Sequence, residues 1–163
     1  MKIAALVACV TLAASCRGAA VSVASSTVAP SGDAVPVVKV IDGDTIRVRI
    51  GGAEEKVRLI GIDTPEVDSH DCYATEATEE LKRLLGHDAV RLEKERSERD
   101  RYGRLLRDIY TPDGRFVNAE LVRSGHARAL RITPDVAHAK ELASLEADAR
   151  AARRGLWGAC AGG

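Results

Sequence analysis

The pair Gly51-Gly52, set between two β-branched runs, constrains this chain more than any other feature. Thr45 to Ile50 alternates Ile46, Val48 and Ile50 with Arg47 and Arg49, and period two marks a strand with one buried face. A Gly-Gly pair supplies the positive φ values of a tight hairpin turn, and Lys56 to Ile62 then reads as the return strand, ending at Asp63-Thr64-Pro65. Val37 to Ile41, cut off by Asp42-Gly43-Asp44, comes before them, so the segment is expected to form a three-stranded antiparallel meander.

Beyond it the periodicity changes. Thr75 to Leu85 puts Ala77, Leu81 and Leu84 on one helical face, with Thr75 as N-cap, Glu76 early, Lys82 and Arg83 late, and Gly86 as stop. Ala89 to Glu93 and Leu105 to Tyr110 read as two more strands. Helices follow from Asn118 to Ser124 and from Pro134 to Arg153, the latter turning Leu142, Leu145, Ala149 and Ala152 inward. Five strands, with one helix after the third and two at the end, give the layout of an OB-fold, a Greek-key barrel of the α+β (mainly β) class. At 163 residues the chain fits one domain. Tyr73, Tyr102, Tyr110, Phe116 and Trp157 are its whole aromatic complement, too few for a stacking platform. A net charge of zero excludes a broadly basic nucleic-acid coat, so polyanion recognition would have to be local.

The N-terminus reads as an export signal. Lys2 precedes an apolar run from Ile3 to Ala14, shorter than a membrane-spanning helix needs. Residues 1–15 would be removed if Ala13-Ala14-Ser15-Cys16 acts as a lipobox with Cys16 lipidated, anchoring the protein to a membrane; cleavage after Ala20 is the alternative and gives a secreted or periplasmic protein. Residues 16–36 are rich in Ser, Ala, Val, Gly and Pro and read as a flexible linker before a domain at 37–160. Cys9 leaves with the signal and Cys16 is lipidated or removed, so Cys72 and Cys160 are the one possible disulfide in an oxidising setting. Neither belongs to the candidate chemistry, so the bridge is expected to support stability and not activity.

That chemistry falls in three places, each with a plain alternative. Asp42-Gly43-Asp44-Thr45 also suits a turn, Asp63-Thr64-Pro65-Glu66 also suits a strand end, and Arg58 and Arg101-Tyr102-Gly103-Arg104 also suit solvated surface. Together, Ile41 to Thr45, Arg58, Asp63 to Glu66, Tyr73 with Glu76 and Ala77, Tyr102 to Arg104, and Val117 to Gly125 resemble the thermonuclease, or staphylococcal nuclease-like, family in order and spacing over residues 37–158.

The resemblance implies a Ca²⁺-dependent nuclease that cuts DNA and RNA to leave 3′-phosphate ends. It implies Asp44, Asp63 and the Thr64 backbone carbonyl as metal ligands, with Asp42 orienting a metal-bound water. Glu66 would act on the attacking water, Arg58 and Arg104 on the phosphoryl oxygens, and Arg101 and Tyr102 on a neighbouring phosphate or sugar. Hard oxygen donors do suit Ca²⁺, and fixed guanidinium groups suit charge developing on phosphate. The chain departs from the family in carrying Leu130, Arg131 and Ile132 where tyrosines are usual, and in a shorter segment between Glu66 and Tyr73. A monomer is expected. The competing reading is a non-catalytic OB-fold module that binds nucleic acid or another partner; the coexistence of Asp44, Asp63, Glu66, Arg58 and Arg104 favours the enzyme.

Overall fold

The structure, a computed structural model, describes residues 34–86 and 89–160. The expected signal peptide, Cys16 and most of the linker lie outside the described residues.

Strands β1 (Val35–Val40), β2 (Thr45–Ile50) and β3 (Ala53–Leu59) form the expected antiparallel meander. Pairing of Ile50 with Ala53 across Gly51-Gly52 starts β3 three residues before Lys56, because a two-residue turn leaves no gap in the ladder. Ile46 and Val48 are fully buried, but Ile50, expected on the same face, is exposed at the hairpin end. β3 stops at Leu59 and not at Ile62. Gly61, at φ 74°, turns the chain so that β4 (Ile62–Asp63) leaves the barrel and pairs with β7 (Arg128–Ala129).

Helix α1 (Ala74–Leu85) buries Ala77, Leu81 and Leu84 as its pattern predicts. It begins before Thr75, with Tyr73 and not Thr75 at the N-cap position. β5 (Ala89–Glu93) and β6 (Leu105–Tyr110) complete the sheet: β3 runs parallel to β6, β6 pairs with β5, and β5 pairs with β1. The five strands therefore close into a mixed barrel, the OB-type α+β fold. Ile46, Val57, Leu59, Leu81, Val90 and Ile109 fill its aliphatic core.

Helix α2 (Val117–Arg123) carries the buried Asn118. Its Nδ2 donates to Ile60 O at 2.8 Å and its Oδ1 accepts Ile109 N–H at 3.0 Å, tying the helix to β6 and to the residue that follows β3. Helix α3 (Ala139–Ala151) starts five residues after Pro134. Asp135 is spent elsewhere, accepting the N–H groups of Arg96 and Ser97 at 2.9 and 2.8 Å, which fixes the segment as a loop. Leu142 and Ala149 point inward as expected; Ala152 lies beyond the helix and is exposed. A last turn, α4 (Leu156–Ala159), buries Trp157 and leads to Cys160, which is bonded to Cys72.

Candidate active site

The barrel register assembles the acids. Thr45 opposes Arg58 across β2 and β3, and Leu59 N–H donates to Asp44 O at 2.9 Å, so the turn before β2 lies against the end of β3. Gly43 lets that turn approach Thr64 and α1: a Cβ there would stand 2.8 Å from Thr64 Oγ1 and 3.0 Å from Ala77 Cβ. Asp42 Oδ1 accepts Asp44 N–H at 3.0 Å, an Asx-type contact that holds the turn.

Asp44 is 3% exposed, and both its oxygens are engaged. Oδ2 accepts from Thr64 N and Oγ1 at 3.0 and 3.1 Å; Oδ1 accepts from Arg58 Nε at 3.0 Å and Thr45 Oγ1 at 3.1 Å. Burial pushes its pKa up to about 6 against the opposing pull of Arg58, with the nearby Asp42 carboxylate adding to the rise. Arg58 spans the site. Its Nη2 donates to Asp63 Oδ1 at 3.0 Å, while Nη1 donates to the carbonyls of Leu59 and Ile62 at 2.6 and 2.9 Å. Glu66 follows on the exposed loop, its pKa raised by partial burial and then by the charges of Asp42 and Asp63, with Arg58 opposing.

A second wall comes from the chain before β6. Asp100 Oδ1 accepts the N–H groups of Tyr102 and Arg104, both at 2.9 Å, and its Oδ2 accepts from Arg104 Nε at 2.7 Å. Burial works against ionisation of Asp100, but these bonds more than offset it and hold its pKa low. Arg101 Nη2 donates to Tyr102 Oη at 2.6 Å, and its guanidinium lies over the exposed Tyr102 ring, 4.8 Å from the centroid. Arg58, Arg101, Tyr102 and Arg104 line one cavity of about 430 Å³, whose apolar side is built from Leu106, Leu130 and Ile132.

The structure thus brings Asp42, Asp44, Asp63, Thr64, Glu66 and Arg58 together, and sets Arg104, Arg101 and Tyr102 around the cavity that Arg58 shares. The disulfide of Cys72 and Cys160 lies apart from that cavity. Among the described residues, no three side chains of His, Cys, Asp and Glu converge on a point suited to a metal ion. Sequence reasoning missed Asp100, which fixes Arg104, and Asp71, whose carboxylate holds the Glu66 backbone. An Asp two residues before the Tyr-Gly turn is a recognisable Asx signal; Asp71 has no such signature.

On a closed OB-type barrel, acids before β2 and in β4 stand beside arginines that line a shared cavity, an arrangement whose charge suits a phosphoryl group. The family model described as "Staphylococcal nuclease homologue" matches residues 56–159. The chain is 35% identical over 125 residues to "Thermonuclease" of Staphylococcus hyicus, covering 74% of this chain and 73% of the relative. It is 37% identical over 121 residues to an "Uncharacterized endonuclease" of Escherichia coli, covering 74% of each, and 32% identical over 129 residues to "Endonuclease YncB" of Bacillus subtilis, covering 76% and 61%. The chain belongs to the staphylococcal nuclease homologue family.

Proposed function

We propose that the protein is a metal-dependent nuclease that hydrolyses phosphodiester bonds in DNA and RNA. The carrying observation is the run of ion pairs Asp44–Arg58–Asp63 beside the cavity that Arg58 shares with Arg104. The relatives named thermonuclease and endonuclease support the nuclease reading.

The residues fit a hard divalent cation by their chemistry. Asp44 and Asp63 share one guanidinium, and the charges of Asp42 and Glu66 lie close enough to be felt at this site, so negative charge is in excess, and every donor is an oxygen. Asp44, Asp63 and the Thr64 carbonyl would hold Ca²⁺, with Asp42 behind them. The cation would supply charge neutralisation on the phosphoryl group and lower the pKa of water.

Arg104, fixed by Asp100, offers its free guanidinium nitrogens to phosphoryl oxygens, and the raised pKa of Glu66 makes it a better acceptor for the attacking water's proton. Arg58 holds Nη2 on the half-exposed Asp63; exchange of that partner for a phosphoryl oxygen brings Arg58 into catalysis. In-line attack forms the water oxygen–phosphorus bond as the bond to the 5′-oxygen breaks, the water's proton passing to Glu66 and the departing 5′-oxygen taking a proton from solvent, leaving a 3′-phosphate and a 5′-hydroxyl. Arg101 and Tyr102 are assigned to the neighbouring phosphate or sugar, and Leu130 and Ile132 give the cavity an aliphatic side.

Digestion of a 5′-labelled oligonucleotide tests this reading. Products whose mobility shifts on phosphatase treatment carry 3′-phosphates as proposed; products unaffected by it end in 3′-hydroxyls and contradict the cleavage side. The protein is further proposed to be exported, as a lipoprotein through Cys16 or as a secreted or periplasmic protein, and to act as a monomer. Cys16→Ala should release a lipoprotein from membranes, whereas a soluble product beginning at Val21 marks ordinary secretion.

A further inference from the structure

Glu66 stands on a loop, and its carboxylate makes no hydrogen bond among the described residues, so its backbone sets its place. That backbone is held by one residue. Asp71 Oδ2 accepts Glu66 N–H at 3.1 Å, and Asp71 N–H donates to Glu66 O, also at 3.1 Å, closing the loop into a ring. Asp71 O in turn accepts the N–H of Ala74, the first residue of α1, at 3.2 Å.

The chain on either side of this clamp is strained. His70 and Tyr73 hold φ values of 55° and 74°, a region that residues with side chains occupy only where their surroundings over-determine it. The surroundings here are the C-terminal tail. Cys72 is bonded to Cys160, and Tyr73 packs against the cluster of Ala149, Leu156 and Trp157. The tail is itself anchored, since Leu156 N–H donates to Gly125 O at 2.9 Å and Trp157 is buried. A continuous path therefore runs from the body of the fold through Cys160, Cys72 and Asp71 to Glu66.

We propose that Asp71 is the positioning residue for Glu66, and that the Cys72–Cys160 bridge, one residue further on, keeps Asp71 in place. The inference rests on the catalytic reading of Glu66. It revises the expectation that the bridge serves stability alone: losing it slackens the loop that carries the group acting on water.

Steady-state kinetics on a defined oligonucleotide test it. Asp71→Ala should lower kcat by roughly 10- to 100-fold with KM unchanged, the usual scale for misplacing a catalytic group. Asp71→Asn keeps an oxygen acceptor for Glu66 N–H and should restore most of that loss. Cys72→Ser with Cys160→Ser, assayed at a temperature where circular dichroism shows it folded, should lower kcat in the same way; if it does not fold, the Asp71 variants decide. Glu66→Gln separates the two claims. If Glu66→Gln turns over like wild type, the reading of Glu66 fails. If Glu66→Gln is slow while Asp71→Ala keeps wild-type kcat, the positioning role alone is overturned. Combining Asp71→Ala with Glu66→Gln should add no further loss, and a fully additive loss would contradict action through Glu66.

Discussion

Arg58 Nε donates to Asp44 Oδ1 at 3.0 Å, joining a guanidinium and a carboxylate that are both largely buried at the junction of β2 and β3. The pair forms because Thr45 and Arg58 are partners in the ladder, so a hairpin defined by its glycine turn delivers the site's central contact. Arg58 also supplies both Nη groups to its own end of the strand and to Asp63.

Arginine geometry, and not charge alone, should therefore matter. Arg104→Lys is expected to lose roughly 10² to 10³ in kcat and to stay stable, because a lysine cannot reproduce the planar fork. Arg58→Lys should lose comparable activity and also melt lower, since the carbonyls of Leu59 and Ile62 lose their donor. Near-wild-type turnover in both variants would reduce these arginines to surface groups.

Cation binding should depend on the protonation of Asp44. Its pKa, raised to about 6, means that below that pH the native protein holds a proton there which the ligand must displace. Calcium affinity measured by calorimetry should rise with pH up to about 6 and then level off, with proton uptake by the buffer below that point. Affinity that stays flat across this range would remove Asp44 from the ligand set.

Asp108 supplies a separate dependence on pH. It is 2% exposed, and burial, reinforced by Glu95 and Glu93, pushes its pKa up to about 8. Its partners are Asn118 Nδ2 at 3.3 Å and His138 Nε2 at 3.7 Å. The unfolded chain releases this proton near 3.8, so the native state binds it more tightly between the two values. The stability it confers is complete below the unfolded value and is lost as pH rises through about 8. Asp108→Asn should therefore gain on wild type in melting temperature as pH rises, with a gap that stops widening above about 8. Parallel melting curves would show that Asp108 carries no such linkage.

The bridge between Cys72 and Cys160 closes a separation of 88 residues. Chain entropy gives about 4.6 kcal/mol for such a loop, and measured bridges more often contribute about 2 to 4 kcal/mol. The denatured, unreduced protein should show no reactive thiol from these positions, and reduction should lower its melting temperature. Two titratable thiols there would refute the bridge.

The elements carried by short-range pattern were legible in the sequence. Ile46 and Val48 announce β2, Gly51-Gly52 its turn, and Ala77, Leu81 and Leu84 the buried face of α1. Asp44, Arg58 and Asp63 were legible through motif order, and the structure brings them into contact. Long-range contacts were not legible. β3 ends at Leu59 because the chain turns at Gly61 to pair with Arg128–Ala129, and residues 134–138 stay out of α3 because Asp135 bonds to Arg96 and Ser97, roughly forty positions away. Asp71 was missed because its carboxylate reaches back to Glu66 N–H, five positions earlier, outside the two-residue spacing of an Asx turn.

Incubation of the purified protein with plasmid DNA and with RNA, in millimolar Ca²⁺ and in excess chelator, tests the metal-dependent nuclease most directly. Cleavage of both substrates in Ca²⁺, abolished by chelator and little restored by Zn²⁺, is the expected result. Undiminished cutting in chelator, or intact nucleic acid in Ca²⁺, would contradict it.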